Sequence, residues 1–178
     1  PIFSIPRSVV GPPTPWVLGS SPSSAAIAGE LGLPYCFAAF IRPQLATQSF
    51  EAYRQQFQPS ALAGGVDEPA GMIAVNAVCA ENDDEAARLR AVAEASYKRM
   101  QRGVVGTRPS IKEAIDELGR VPEPTPVTLD TGEWPRAISG SPDTVASLLE
   151  QLAERVGVDE VMIQHIHATH ADALRSHE

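Results

Sequence analysis

Apolar residues gather in four runs: residues 16–19 (WVLG), 33–41 (LPYCFAAFI), 71–80 (GMIAVNAVCA) and 158–166 (VDEVMIQHI). Near-continuous apolar runs of this length predict strands buried on both faces, the pattern of parallel sheets. The intervening segments carry helical spacing. Ile27 and Leu31 lie four apart in SSAAIAGELG, with Gly32 as a stop. Phe50, Tyr53, Arg54 and Phe57 share a helical repeat that ends at Pro59. Residues 81–103 read as a long helix with acids at its start and bases at its end, matching the helix dipole. A short helix follows in SIKEAIDELG. A clear helix start then appears at Ser141 (N-cap) and Pro142 (N1), with Val145, Leu148, Leu149 and Leu152 on its apolar face.

The predicted order is β-α-β-α-β-α-insert-α-β-α, which calls for right-handed parallel β-α units. An open doubly wound sheet and part of a β/α barrel both fit. Four strands are too few to close an eight-stranded barrel. Residues 1–15 hold five prolines and read as an extended arm. Residues 103–135 end in a Pro-rich stretch without periodicity, long for an idle connection. The chain begins at Pro1 and ends in what reads as an unfinished helix, so a piece of a longer protein is expected.

Composition narrows the function. The 178 residues are 43% hydrophobic, which suits one compact domain, and the net charge is −8. That acidity argues against a broad nucleic-acid surface or adhesion to anionic lipid. No apolar run approaches the roughly 20 residues a membrane helix needs, and no signal peptide is visible. Cys36 and Cys79 sit in apolar runs with no C-x-x-C, as expected of reduced, buried thiols in a cytoplasmic protein.

In parallel β/α proteins, ligands bind beyond the carboxyl ends of strands. The Gly19-Ser20-Ser21-Pro22-Ser23-Ser24 turn holds such a place. Unpaired N–H groups and the positive end of a helix suit a phosphate there, and the serines add hydroxyls. The plain alternative is that Ser20, Ser21 or Ser23 only caps the helix. The turn is neither a Walker A loop nor G-x-G-x-x-G, and no G-x-S-x-G elbow is present. His165 and His167 share a face if the last strand continues. They fit a proton-handling or substrate-contact role; a metal site with His170 and Asp172 is the weaker reading. Asp83, Asp84 and Glu85 are read as first-turn acids that favour the helix dipole. Trp134 either covers a flat ligand or anchors the insert.

WVLGSSPSSAAIAGELGLPYCFAAFI, GMIAVNAVCAENDDEAARL and ISGSPDTVASLLEQLAERVGVDEVMI together resemble the second half of the bacterial luciferase-like flavin-dependent monooxygenases. HADALRSHE resembles, with changes, the segment that opens that family's last helix. The resemblance implies a single partial domain over 1–178. It would carry strands five to eight of a (β/α)₈ TIM barrel, with residues 103–135 as a lid. It implies reduced FMN, or the deazaflavin F420, and O₂ oxygenating a small organic substrate. It further implies a separate NAD(P)H:flavin reductase and a homodimer, with neither nucleic acid nor membrane as partner. Gly19, Ser20 and Ser21 match the phosphate-binding turn. Ala38, Ala39 and Phe40 match the strand end near the flavin ring, with Ala39 where a relative has a bulky Trp. Trp134, His165 and His167 are carried as substrate or lid residues. Catalytic residues stay unassigned, and no metal is expected. The family's basic group toward the phosphate comes from the first four strands, so this piece alone is expected to be poorly active. A non-catalytic flavin-binding protein of the same fold is the alternative, and a sugar-phosphate enzyme on a β/α barrel a weaker third reading.

Overall fold

The computed structural model describes residues 14–60, 64–104, 106–128 and 134–176. The proline-rich arm therefore lies almost wholly outside the described residues, as do 129–133 of the predicted insert. A five-stranded, all-parallel sheet forms the centre. Its strands are β1 (Val17–Gly19), β2 (Tyr35–Ala38), β3 (Gly71–Cys79), β4 (Ala137–Gly140) and β5 (Glu160–Gln164). The helices are α1 (Pro22–Glu30), α2 (Ala46–Gln56), α3 (Asp83–Gln101), α4 (Ile111–Leu118), α5 (Pro142–Val156) and α6 (His170–Arg175).

β3 organises the sheet. Residues 71–74 pair with β2 and residues 72–76 with β5, so β2 and β5 must occupy opposite edges of β3. Farther along, residues 76–79 pair with β4. Arg136, just ahead of β4, donates to the Ile41 carbonyl just beyond β2. β4 thus takes over from β2 along the same strand.

Two of the expectations need correction. There are five described strands, not four: β4 lies in the sequence between the Pro-rich stretch and α5. Its Ala-Ile-Ser-Gly is short and mostly small, so it gives neither a long apolar run nor an alternation. It is a strand because all four residues are buried against β3. The last strand, in turn, is not buried on both faces. Met162 and Ile163 are exposed, and only Val161 packs on the core. β5 is an edge strand, and its apolar run alone could not show that.

Ser141 caps α5 as expected, and of the three serines left open for α1 it is Ser21 that caps. Ser21, Asn82, Ser110, Ser141 and Thr169 each cap a helix by accepting a backbone N–H three residues on. The main core lies on one face of the sheet. There Ile73, Val75 and Ala77 of β3 meet α1, α2 and α5 through Ala25, Phe50, Tyr53, Leu148 and Leu152. The α3–α4 hairpin has its own small core of Ala91, Val92, Ala95 and Ala114. It stands over the other face, the one presented by Asn76.

Candidate functional site

The Ser-rich turn sits where β1 gives way to α1. Ser21 is the N-cap, with extended backbone (φ −151°, ψ 155°), and its Oγ accepts the Ser24 N–H at 3.3 Å. Pro22, at the first helical position, has no N–H to satisfy. The fully buried Tyr35 rises from β2 beneath the turn, with its hydroxyl 3.4 Å from the Ser21 carbonyl and 3.3 Å from Ser24 Oγ. Burial pushes the Tyr35 phenol up, so it stays an O–H donor at neutral pH. A Cβ at Gly19 would meet Ser24 Oγ at 2.1 Å. The glycine therefore lets the first turn of α1 close over β1.

The charge pattern at the helix starts bears on what the turn can hold. α3, α4, α5 and α6 each carry an acid in the first turn. α1, like α2, carries none, so its positive end is not neutralised from within. The Ser20 and Ser21 amides make no backbone hydrogen bond among the described residues. Free amides, hydroxyls and an uncompensated helix end are a donor set that fits a phosphate.

A cavity of about 790 Å³ opens at the carboxyl ends of β2 and β5, beneath α3. Phe40 and Ile41 line it from the turn after β2, Asn76 from β3, Gln164 from β5, and Ala93 and Tyr97 from α3. Its size is within the range of small-molecule pockets. Arg136 spans its wall, stacked 4.1 Å over the Tyr97 ring. Arg90 is buried at the back. It donates to Thr125 Oγ1 at 2.8 Å and to the Glu123 carbonyl, and so ties the Pro-rich segment to α3. Thr125 in turn reaches Ser139 of β4, whose N–H it accepts at 3.0 Å.

The residues singled out in the sequence fall into three groups. Gly19, Ser20 and Ser21 form the turn. Phe40 lines the cavity; Ala38 and Ala39 do not line it and are buried at the end of β2. Trp134 is buried in the main core with Arg155 of α5 over its ring, 5.5 Å from the centroid. Gln164 and Ile166 line the cavity, and His165 and His167, which alternate with them, do not. The two imidazoles stack at 5.4 Å, and His167 is buried. Asp172 is held by Thr169 and Arg175. Among the described residues no three His, Cys, Asp or Glu gather as a metal site. Asn76, Arg90 and Arg136 were missed by sequence reasoning. A polar Asn inside the apolar run 71–80 was the one available signal.

The chain belongs to the luciferase-like monooxygenase family, whose model matches residues 1–160. Among its curated relatives is YvbT of Bacillus subtilis, 34% identical over 92% of this chain and 47% of that protein. A luciferase-like monooxygenase of Escherichia coli is 28% identical over the same shares. Of the solved structures, apo-MsnO8 aligns with a TM-score of 0.80 at 35% identity, covering 98% of this chain and 52% of that one. The monooxygenase RslO1 from Streptomyces bottropensis, at 20% identity and a TM-score of 0.54, shares the fold. The chain thus spans about half the length of the relatives it matches. Among the described residues no helix is long and apolar enough to cross a membrane.

Proposed function

We infer that this chain is the flavin-holding half of a flavin-dependent monooxygenase, one that oxygenates a small organic substrate with O₂. The observation that carries the reading is the placement of two features on one rim. The Ser20–Ser21 turn stands at the carboxyl end of β1, and the cavity opens at the carboxyl ends of the next strands of the same parallel sheet. Adjacent strands lie about 4.8 Å apart, so the turn stands about one strand spacing from the end of β2 and about 10 Å from Asn76's strand, both of which reach the cavity.

Bound there, reduced FMN would supply the electrons and the oxygen chemistry. The chain's own residues orient and enclose it. The Ser20 and Ser21 amides and hydroxyls hold the phosphate, and Tyr35 props the Ser21 carbonyl from below. Phe40 offers an apolar edge to the ring. α3, tied to the Pro-rich segment through Arg90, forms one wall of the cavity. Leu18 and Met162 are exposed at the two outer strands. This supports β1, β2, β3 and β5 as strands five to eight of a barrel whose other half completes the walls, with β4 a short addition along β3. A separate flavin reductase supplies the reduced cofactor, and F420 would meet the same turn through its own phosphate.

Equilibrium titration with FMN and with riboflavin, which lacks the phosphate, tests this. Ser20→Glu is expected to weaken FMN at least tenfold and to leave riboflavin within about twofold. Equal FMN affinity in wild type and variant would overturn the phosphate assignment.

A further inference from the structure

We propose that Asn76 reads a hydrogen-bond donor on the organic substrate, so that the pocket selects a largely apolar molecule bearing a hydroxyl or N–H. Asn76 sits inside the apolar run of β3 and is 8% exposed. Its Oδ1 is buried without a hydrogen-bond partner, and the residue lines the 790 Å³ cavity. In the lining of the same cavity, on α3, Ser96 Oγ is likewise buried without a partner. Buried polar atoms are almost always paired, so an acceptor and a hydroxyl left open in the lining of one cavity mark where a ligand's polar groups belong. Apolar surface predominates in the rest of the wall, from Phe40, Ile41, Ala93, Met100, Ala137 and Ile166, although Arg90, Glu94, Lys98 and Arg136 also line it. An amide oxygen can only accept, so the group it selects must donate.

This rests on the monooxygenase reading for the pocket's role. It assigns Asn76 to the substrate because β3 lies one strand farther from the Ser turn than β2, whose following turn carries Phe40. A site built to hydrogen-bond a ligand rejects the analogue lacking the donor, whose binding would leave the acceptor unpaired.

The probes are 1-naphthol and 1-methoxynaphthalene, alike in body but only the first a donor, titrated into purified protein by fluorescence. Wild type is expected to prefer 1-naphthol by about tenfold. Asn76→Leu, nearly isosteric, should lose that preference and unfold at the same or a higher temperature, because it removes an unpaired buried group. Three results would overturn the proposal: no preference in wild type, a preference that survives in Asn76→Leu, or a lower unfolding temperature for that variant. Repeating the titration with saturating FMN separates the sources of the donor. Binding of 1-naphthol that persists supports a substrate, while competitive displacement would give Asn76 to the flavin ring and overturn the assignment. Because the first arm contains no flavin, a failure of FMN binding leaves its outcome readable.

Discussion

Asp83 Oδ1 accepts the backbone N–H of Ser141 at 2.7 Å, so the first turn of α3 is bonded to the N-cap residue of α5. Dipole stabilisation alone, the sequence expectation for this acid, understates its role. Residues 58 positions apart are joined, and the entry to α5 is pinned beside the end of β3. The bond from the Ser141 amide, followed by Thr144, holds the Asp83 carboxyl below its usual range.

That depression sets a pH dependence. Asp83, Glu113 and Asp172 all have lowered values, from the Ser141 amide, the Ser110 amide and the Thr169 hydroxyl respectively. A carboxyl lower in the folded than in the unfolded chain contributes stability above its unfolded value, about 3.9 to 4.3. The contribution is lost as pH falls through the folded value. Urea midpoints are expected to hold from pH 7 to 5 and to fall steeply below about pH 4. Asp83→Asn should flatten that fall; an unchanged slope would contradict the role of Asp83.

Gly29, within α1, should not tolerate alanine. Helix propensity alone would make Gly29→Ala stabilising by about 1 kcal/mol. A Cβ there, however, would lie 2.6 Å from the Tyr53 carbonyl oxygen and 3.0 Å from the Gln56 carbonyl carbon of α2. Both are backbone atoms that cannot swing aside. The variant is expected to lose about 1–3 kcal/mol in denaturant unfolding, opposite in sign to the propensity estimate.

Ser21→Ala removes the oxygen that caps α1. A loss of about 1 kcal/mol is expected, with Ser21→Gly costing only a few tenths. If the turn also holds a phosphate, added FMN should raise the unfolding temperature of wild type more than that of Ser21→Ala, read by thermal shift.

Arg90→Met tests the tether of the Pro-rich segment. Removing the guanidinium ends its bonds to Thr125 and Glu123 and its ion pair with Glu94 at 3.3 Å. A loss of about 1–3 kcal/mol is expected. Limited proteolysis should shift to residues 121–126, and protection there equal to wild type would show the segment held by other contacts.

The sequence by itself determined the alternation of parallel strands and helices, because apolar runs and helix caps are local signals. Ser141 was legible as an N-cap, and for α1 the structure chose Ser21 from among Ser20, Ser21 and Ser23. The motifs also sufficed to reach the family. Only the tertiary structure decided that Ala137–Gly140 is a strand, because its reason for being extended is β3, distant in sequence. Only the structure placed Trp134 in the core, left β5 exposed at the edge, and brought Asn76 and Ser96 into the lining of one cavity. A residue's neighbours along the chain fix its backbone preference. What its side chain meets depends on strand order and helix placement, which local pattern does not encode.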